Sequence, residues 1–178
     1  MSEKPSPALS IRPATAADRP RLIPLINSAF AIETFLEGTR TDDARLAATM
    51  EKGEILLAES SSGQILGCVY VELRPAEDDS HQAGARGYLG QLAVDPQHQG
   101  VGLARQLVTA AENALRERGC RAVEITVLSL RPELLPLYRR FGYVESGTEE
   151  FSYRAPVPGQ QCHCIVMTKQ LDAAPGNS

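Results

Sequence analysis

Strands that alternate with helices, hairpin signals toward both ends of the chain, and one strongly amphipathic helix in mid-sequence predict an α/β fold built in layers. The hairpins make the sheet mixed and mostly antiparallel rather than all parallel. About six or seven strands flanked by about four helices account for the pattern. One core is expected, because 178 residues fall within the usual range for a single domain.

Residues 1–8 and 172–178 are small, polar and Pro/Gly-rich, without apolar periodicity, and read as loose tails around a folded unit of 9–171. Leu9–Arg12 reads as a first short strand. Thr15 is placed to cap a helix with Asp18 in its first turn, and Leu22, Leu25, Ile26, Ala29 and Phe30 recur at helical spacing. Pro24 removes one backbone donor and crowds the preceding turn, so this helix should kink or start late. A second helix is expected over 42–50, where Asp42 and Asp43 suit an N-terminus and Leu46 and Met50 lie four apart. Two strands follow, Glu54–Glu59 and Ile65–Leu73, joined by the Ser60–Gly63 turn.

Residues 74–86 read as an exposed loop, and Gly87–Val94 as a buried strand that stops at Asp95-Pro96. The stretch 101–118 is the clearest helix. Ala104, Leu107, Val108, Ala111 and Leu115 share one face, with Arg105, Glu112, Arg116 and Glu117 elsewhere and Gly119 where a C-terminal cap is wanted. An apolar strand (Ala122–Leu128), a short helix ending near Arg140 and two strand-like runs, about 148–154 and 162–168, complete the chain.

Composition narrows the function. With 14 glycines, 12 prolines and 43% hydrophobic residues, the chain is neither collagen-like nor disordered. A net charge of −4, with no Lys/Arg run interleaved with aromatics, argues against a nucleic-acid partner. The polar start and the lack of a long apolar stretch argue against a secretory or membrane-spanning segment and predict a cytoplasmic protein. Cys68, Cys120, Cys162 and Cys164 are then expected as free thiols. Alternation along a strand points His163 away from the two flanking thiols, and no metal is expected at Cys162-His163-Cys164.

The segment Leu89 to Arg105 carries the chemistry: a strand, a proline-broken turn, and a glycine loop running directly into the best helix. Unpaired N–H groups and the positive end of the helix dipole converge there, which makes an anion site. A P-loop needs Gly-Lys-Ser/Thr, but Leu103 and Ala104 follow Gly102. A dinucleotide fingerprint needs a third glycine where Arg105 stands.

Gln99-Gly100-Val101-Gly102-Leu103-Ala104 resembles instead the acyl-CoA-binding segment of the GNAT superfamily of N-acetyltransferases, Q/R-x-x-G-x-G/A. A second register beginning at Gln97 satisfies the same pattern, and the first is preferred because Gln99 lies four residues after Asp95. The resemblance implies a GNAT-like acyl-CoA N-acyltransferase fold. It also implies that Gln99, Gly100, Val101, Gly102, Leu103, Ala104 and Arg105 hold the pyrophosphate of acetyl-CoA, while the backbones of Leu92, Ala93 and Val94 border the pantetheine arm. Downstream, Leu137-Tyr138-Arg139-Arg140-Phe141-Gly142-Tyr143 resembles the family segment whose tyrosine protonates the leaving thiolate, so Tyr138 inherits the general-acid role. The match is close over 88–143, with two departures: Arg131 where Asn is usual, and Pro136 inside the helix.

The implied reaction is direct attack of a primary amine, on a small molecule or a peptide, on acetyl-CoA. An amine with a pKa near 10.4 is free base in only about one molecule in a few thousand at neutral pH, so a base must take its proton. Glu33, Glu37, Glu72 or a water relay near Tyr88–Gln91 are the candidates, and Thr126 stands where some relatives carry a catalytic Glu. The base stays open, and so does a second reading, a non-catalytic acyl-CoA-binding sensor on the same fold. The acidic balance favours a cationic acceptor, and homodimers are common in the family.

Overall fold

The structure, a computed structural model, describes residues 9–75 and 85–172. The expected tails 1–8 and 172–178, save Asp172, and most of the 74–86 loop lie outside the described residues. The strands are β1 (Leu9–Pro13), β2 (Glu54–Ser60), β3 (Ile65–Arg74), β4 (Arg86–Val94), β5 (Ala122–Leu128), β6 (Val144–Glu150) and β7 (His163–Gln170). The helices are α1 (Arg19–Ala29), α2 (Asp43–Lys52), α3 (Leu103–Glu117) and α4 (Leu134–Arg140). The strands form one sheet in the order β1-β2-β3-β4-β5-β7-β6, in which only β4 and β5 run parallel.

Helices cover both faces. On one, Leu22, Leu25 and Ile26 of α1 and Leu46 of α2 pack on Ile55, Leu57, Cys68 and Tyr70. On the other, Leu103, Leu107, Val108, Ala111 and Leu115 of α3 pack on Val69, Val71, Leu89, Val123 and Ile125. Each fully buried leucine contributes roughly 1.5–3 kcal/mol.

The first α-helix begins at Arg19 and still holds Pro24 within it. Thr15 and Asp18 form a capping box on a 3-10 turn (Ala16–Asp18), and the α-helix begins only at Arg19. Pro20 and Pro24 are both exposed, so the carbonyl that Pro24 leaves without a donor has access to water. Asp42 caps α2 by accepting the Arg45 amide at 2.8 Å.

Two sequence expectations shift. The strand expected at 148–154 lies at Val144–Glu150. The exposed, polar run 144–150 pairs with β7 and leaves the aromatics Phe151 and Tyr153, residues of high β-propensity, beyond the strand. Glu112, expected away from the apolar face of α3, is buried. Lys169 reaches its carboxylate at 2.8 and 3.0 Å, and the Tyr143 hydroxyl donates to it at 3.0 Å, which offsets the desolvation of the charge.

Candidate active site

A groove opens where β4 and β5 part. They pair only over Arg86–Tyr88 and Ala122–Glu124, while β5 stays bonded to β7 along its whole length. From Leu89 to Val94 the β5-facing edge of β4 is therefore unpaired. A bulge assists the divergence: Cys68 pairs with Ala93 and Tyr70 with Gly90, so two residues, Gln91 and Leu92, oppose Val69 alone. Gln91 takes φ +47°, a backbone region uncommon for a residue other than glycine. The extra residue also reverses which face follows which position. Leu89 packs with α3, whereas Ala93 packs with α1 and α2, and Leu92 and Val94 return to the α3 side. The cavity between the parted strands has a volume of about 1050 Å³, at the upper end for small-molecule sites.

At its far end the chain turns through Pro96–His98, capped by Asp95 accepting the Gln97 amide at 2.9 Å. Gly100 and Gly102 have φ of +80° and +81°, so glycine is needed at both. The first intrahelical bond of α3 runs from the Gln106 amide to the Gly102 carbonyl. The amides of Leu103, Ala104 and Arg105 thus have no helical partner, and no acidic side chain stands in the first turn. Of the residues expected to hold the cofactor, Leu92, Val94, Gln99, Gly100, Gly102, Leu103, Ala104 and Arg105 line the groove. Ala93 and Val101 do not: Ala93 is fully buried in the opposite core, and Val101 is 65% exposed. Arg105 stacks on Phe141, with its guanidinium 5.0 Å from the ring centroid.

Tyr138 borders the same groove from α4. Pro136 does not displace it, because it is the third residue of the helix, where no amide donor is required. The Phe141 and Tyr143 amides both donate to the Tyr138 carbonyl at 3.0 Å, and both rings meet the Tyr138 ring edge-on. Burial pushes the phenol up to about 12, with Tyr88 adding to the rise and Arg131 and Arg40 opposing it. Across the mouth, the Tyr88 hydroxyl and Thr126 Oγ1 are 3.0 Å apart.

The sequence profile of the acetyltransferase (GNAT) family matches residues 22–143, well over half the chain. The chain belongs to the GNAT family. It is 29% identical over 127 residues to mycothiol acetyltransferase of Cellulomonas flavigena, covering 69% of this chain and 36% of that protein. It is 35% identical over 66 residues to the N-alpha-acetyltransferase MAK3 of Arabidopsis thaliana, covering 37% of this chain and 35% of that one. The chain thus spans about a third of the length of these curated relatives. Among solved structures, ribosomal-protein-alanine N-acetyltransferase from Brucella melitensis superposes with a TM-score of 0.70 at 25% identity, covering 91% of this chain and 99% of that one. The fold is shared too with yncA from Salmonella typhimurium, solved with its cofactor acetyl-CoA, at a TM-score of 0.68 and 21% identity, covering 96% and 99% of the two chains.

The three carboxylates considered as bases separate within this GNAT fold. Glu37 is exposed and outside the groove. Glu33 lines the groove, but its side chain is only 2% exposed and is shared by three arginines: Arg154 at 3.1 Å, Arg131 at 3.4 Å and Arg40 at 3.5 Å. Arg154 is 8% exposed, and burial lowers its pKa, with Glu33 opposing that and Arg40 and Arg45 adding to it. Glu72, on β3, is half-buried in the wall and, among the described residues, accepts only the Tyr70 hydroxyl, at 3.0 Å. The Glu33 cluster was not anticipated, because its partners lie 7, 98 and 121 residues away and no local pattern joins them.

Charge along the groove also differs from expectation. Seven arginines and Lys52 line it, against two carboxylates, Glu33 and Glu72, although the chain as a whole is acidic. Cys164 lines the wall as a free thiol pushed up to about 11, first by burial. His163 is exposed, and among the described residues no group of three or more His, Cys, Asp or Glu side chains is placed to hold a metal ion.

Proposed function

We propose that this chain is an acetyl-CoA-dependent N-acetyltransferase that acetylates a primary amine by direct attack. The observation that carries the reading is the open β4 edge leading into the uncapped N-terminus of α3. One feature suits a peptide-like arm and the other a pyrophosphate, and they meet in one groove. The amides from Gly100 through Arg105 hold the pyrophosphate. The Leu92 and Val94 backbones pair with the pantetheine arm, and Ala93 contributes through its backbone alone. Acetyl-CoA supplies the activated thioester.

Glu72 is the base in this proposal. Tyr70 holds one of its oxygens, which leaves the other for an ammonium proton. Tyr138 donates to the sulfur as the thioester carbon–sulfur bond breaks. A phenol near 12 facing a thiol near 8.5 makes complete proton transfer uphill by about 5 kcal/mol, so its contribution is a hydrogen bond that strengthens as charge builds on sulfur. The sulfur leaves as a thiolate hydrogen-bonded to Tyr138 and takes up the second proton that the nitrogen releases on becoming an amide, so the products are the N-acetyl amide and the free thiol.

The test is thiol release from acetyl-CoA across a panel of primary amines. Amine-dependent release that falls sharply in Tyr138→Phe supports the proposal. Acetyl-CoA binding with no release from any amine supports the sensor instead.

A further inference from the structure

Positive charge is concentrated in the half of the groove away from the α3 loop. Arg105 and Arg140 belong to α3 and α4, beside the proposed pyrophosphate site. Around the other half stand Arg40, Arg131 and Arg154, which share the single carboxylate of Glu33. Glu33 and, at Arg131, the more exposed Glu133 balance two of the three guanidiniums. The remaining charge faces a partly desolvated groove, where an anion is held more strongly than in water.

The three arginines are not equally engaged. Arg154 donates to the carbonyls of Leu36, Glu37 and Gly38 as well as to Glu33. Arg131 is bound by Glu133 as well as Glu33. Arg40 makes no hydrogen bond among the described residues. Its contacts are the 3.5 Å approach to Glu33 and a stack on Phe30, with the guanidinium 4.3 Å from the ring centroid. Its side chain is 24% exposed and lines the groove. A planar fork of N–H donors held by a ring on one side, with its hydrogen bonds unmade, is suited to grip a carboxylate or phosphate in bidentate fashion.

The two connections that carry Glu33 and Arg40, and Arg154, are also tied to each other. The connection after α1 and the one after β6 pair through Glu37 N to Ala155 O at 2.9 Å and Val157 N to Phe35 O at 3.0 Å, with a β-bridge between Leu36 and Pro156.

We infer that the acceptor amine carries its own oxyanion, a carboxylate or phosphate, and that Arg40 binds the oxyanion. The inference rests on the acetyl-transfer reading for the identity of the reaction. No covalent step is added to it.

The test compares glycine, glutamate, β-alanine and phosphoethanolamine with glycinamide and ethanolamine, both as acceptors in thiol release and by calorimetric titration of the protein itself. The acids are expected to show KM values lower than the neutral amines by about tenfold or more. Arg40→Gln should raise the KM for the acids by about as much, while kcat and the thermal shift with acetyl-CoA stay unchanged. Arg40→Lys, which keeps the charge and loses the fork, should recover part of the effect. The preferred acid separates carboxylate from phosphate. Equal use of neutral amines and acids, an acid KM unchanged in Arg40→Gln, or no acid bound in the titration would overturn the inference. A missing thermal shift with acetyl-CoA strikes the acetyl-transfer reading instead, and the titrations still report on the oxyanion site without that ligand.

Discussion

Tyr138 is held in its protonated form by the packing that surrounds it. With the phenol pushed up to about 12 by burial, it remains a donor throughout the working range, so kcat/KM should show no descending limb from its ionisation below about pH 11. A fall between pH 8 and 10 would assign the acid role to another group. Tyr138→Phe should lower kcat by about 10–100-fold and leave the KM for acetyl-CoA unchanged. Glu72→Gln should lower kcat/KM by a similar factor, and a variant with unaltered kcat/KM would return the base role to a water relay. Tyr138 and the Gln99–Arg105 loop were legible in the sequence because short patterns with fixed spacing carry them. Glu33 was visible only as a candidate base, because arginines remote in sequence determine its surroundings and only the fold assembles them.

Among the elements, α3 was readable nearly to the residue, since its apolar face repeats at helical spacing and Gly102 blocks its earlier start. β6 was misplaced because an edge strand buries nothing: all seven of its residues are exposed, and hydrogen bonds to β7 alone define it. Two buried charges pin elements together. Asp18 ties the start of α1 to β1, accepting from Arg12 at 2.9 and 3.0 Å, from Arg21 at 2.7 Å and from the Thr15 amide at 2.9 Å. Arg12 first, with the Thr15 amide and Arg21 after it, holds the carboxyl well below the usual carboxylate range. The unfolded chain therefore takes up the proton first as pH falls. The stability Asp18 contributes is complete above about pH 4 and is lost below it. Asp18→Asn should destabilise by about 2 kcal/mol at neutral pH, with the gap to the parent closing toward pH 2, as read by denaturant melts across pH. Glu112→Ala would leave Lys169 and Tyr143 unsatisfied beneath α3 and should cost about 3 kcal/mol in the same assay.

At the scale of the whole molecule, the net charge of −4 gave no guide to the site, because eight cationic side chains gather in the groove beside two carboxylates, Glu33 and Glu72. Composition sums over surfaces that a ligand never meets. The layered architecture was readable, since each layer repeats its own period, but the bulge that assists the parting of β4 from β5 was not, because no local pattern surrounds Gln91. That parting, continued into the open end of α3, is the central feature of the account. It is tested most directly by thermal shift with acetyl-CoA on the parent and on Gly102→Glu, which sets a carboxylate at the anion site on a residue with φ +81°. The parent should be stabilised by about 2.7 kcal/mol at 100 times its dissociation constant, and the variant, folded but lower in Tm, should not respond. No shift in the parent, or an equal shift in both proteins, would contradict the account.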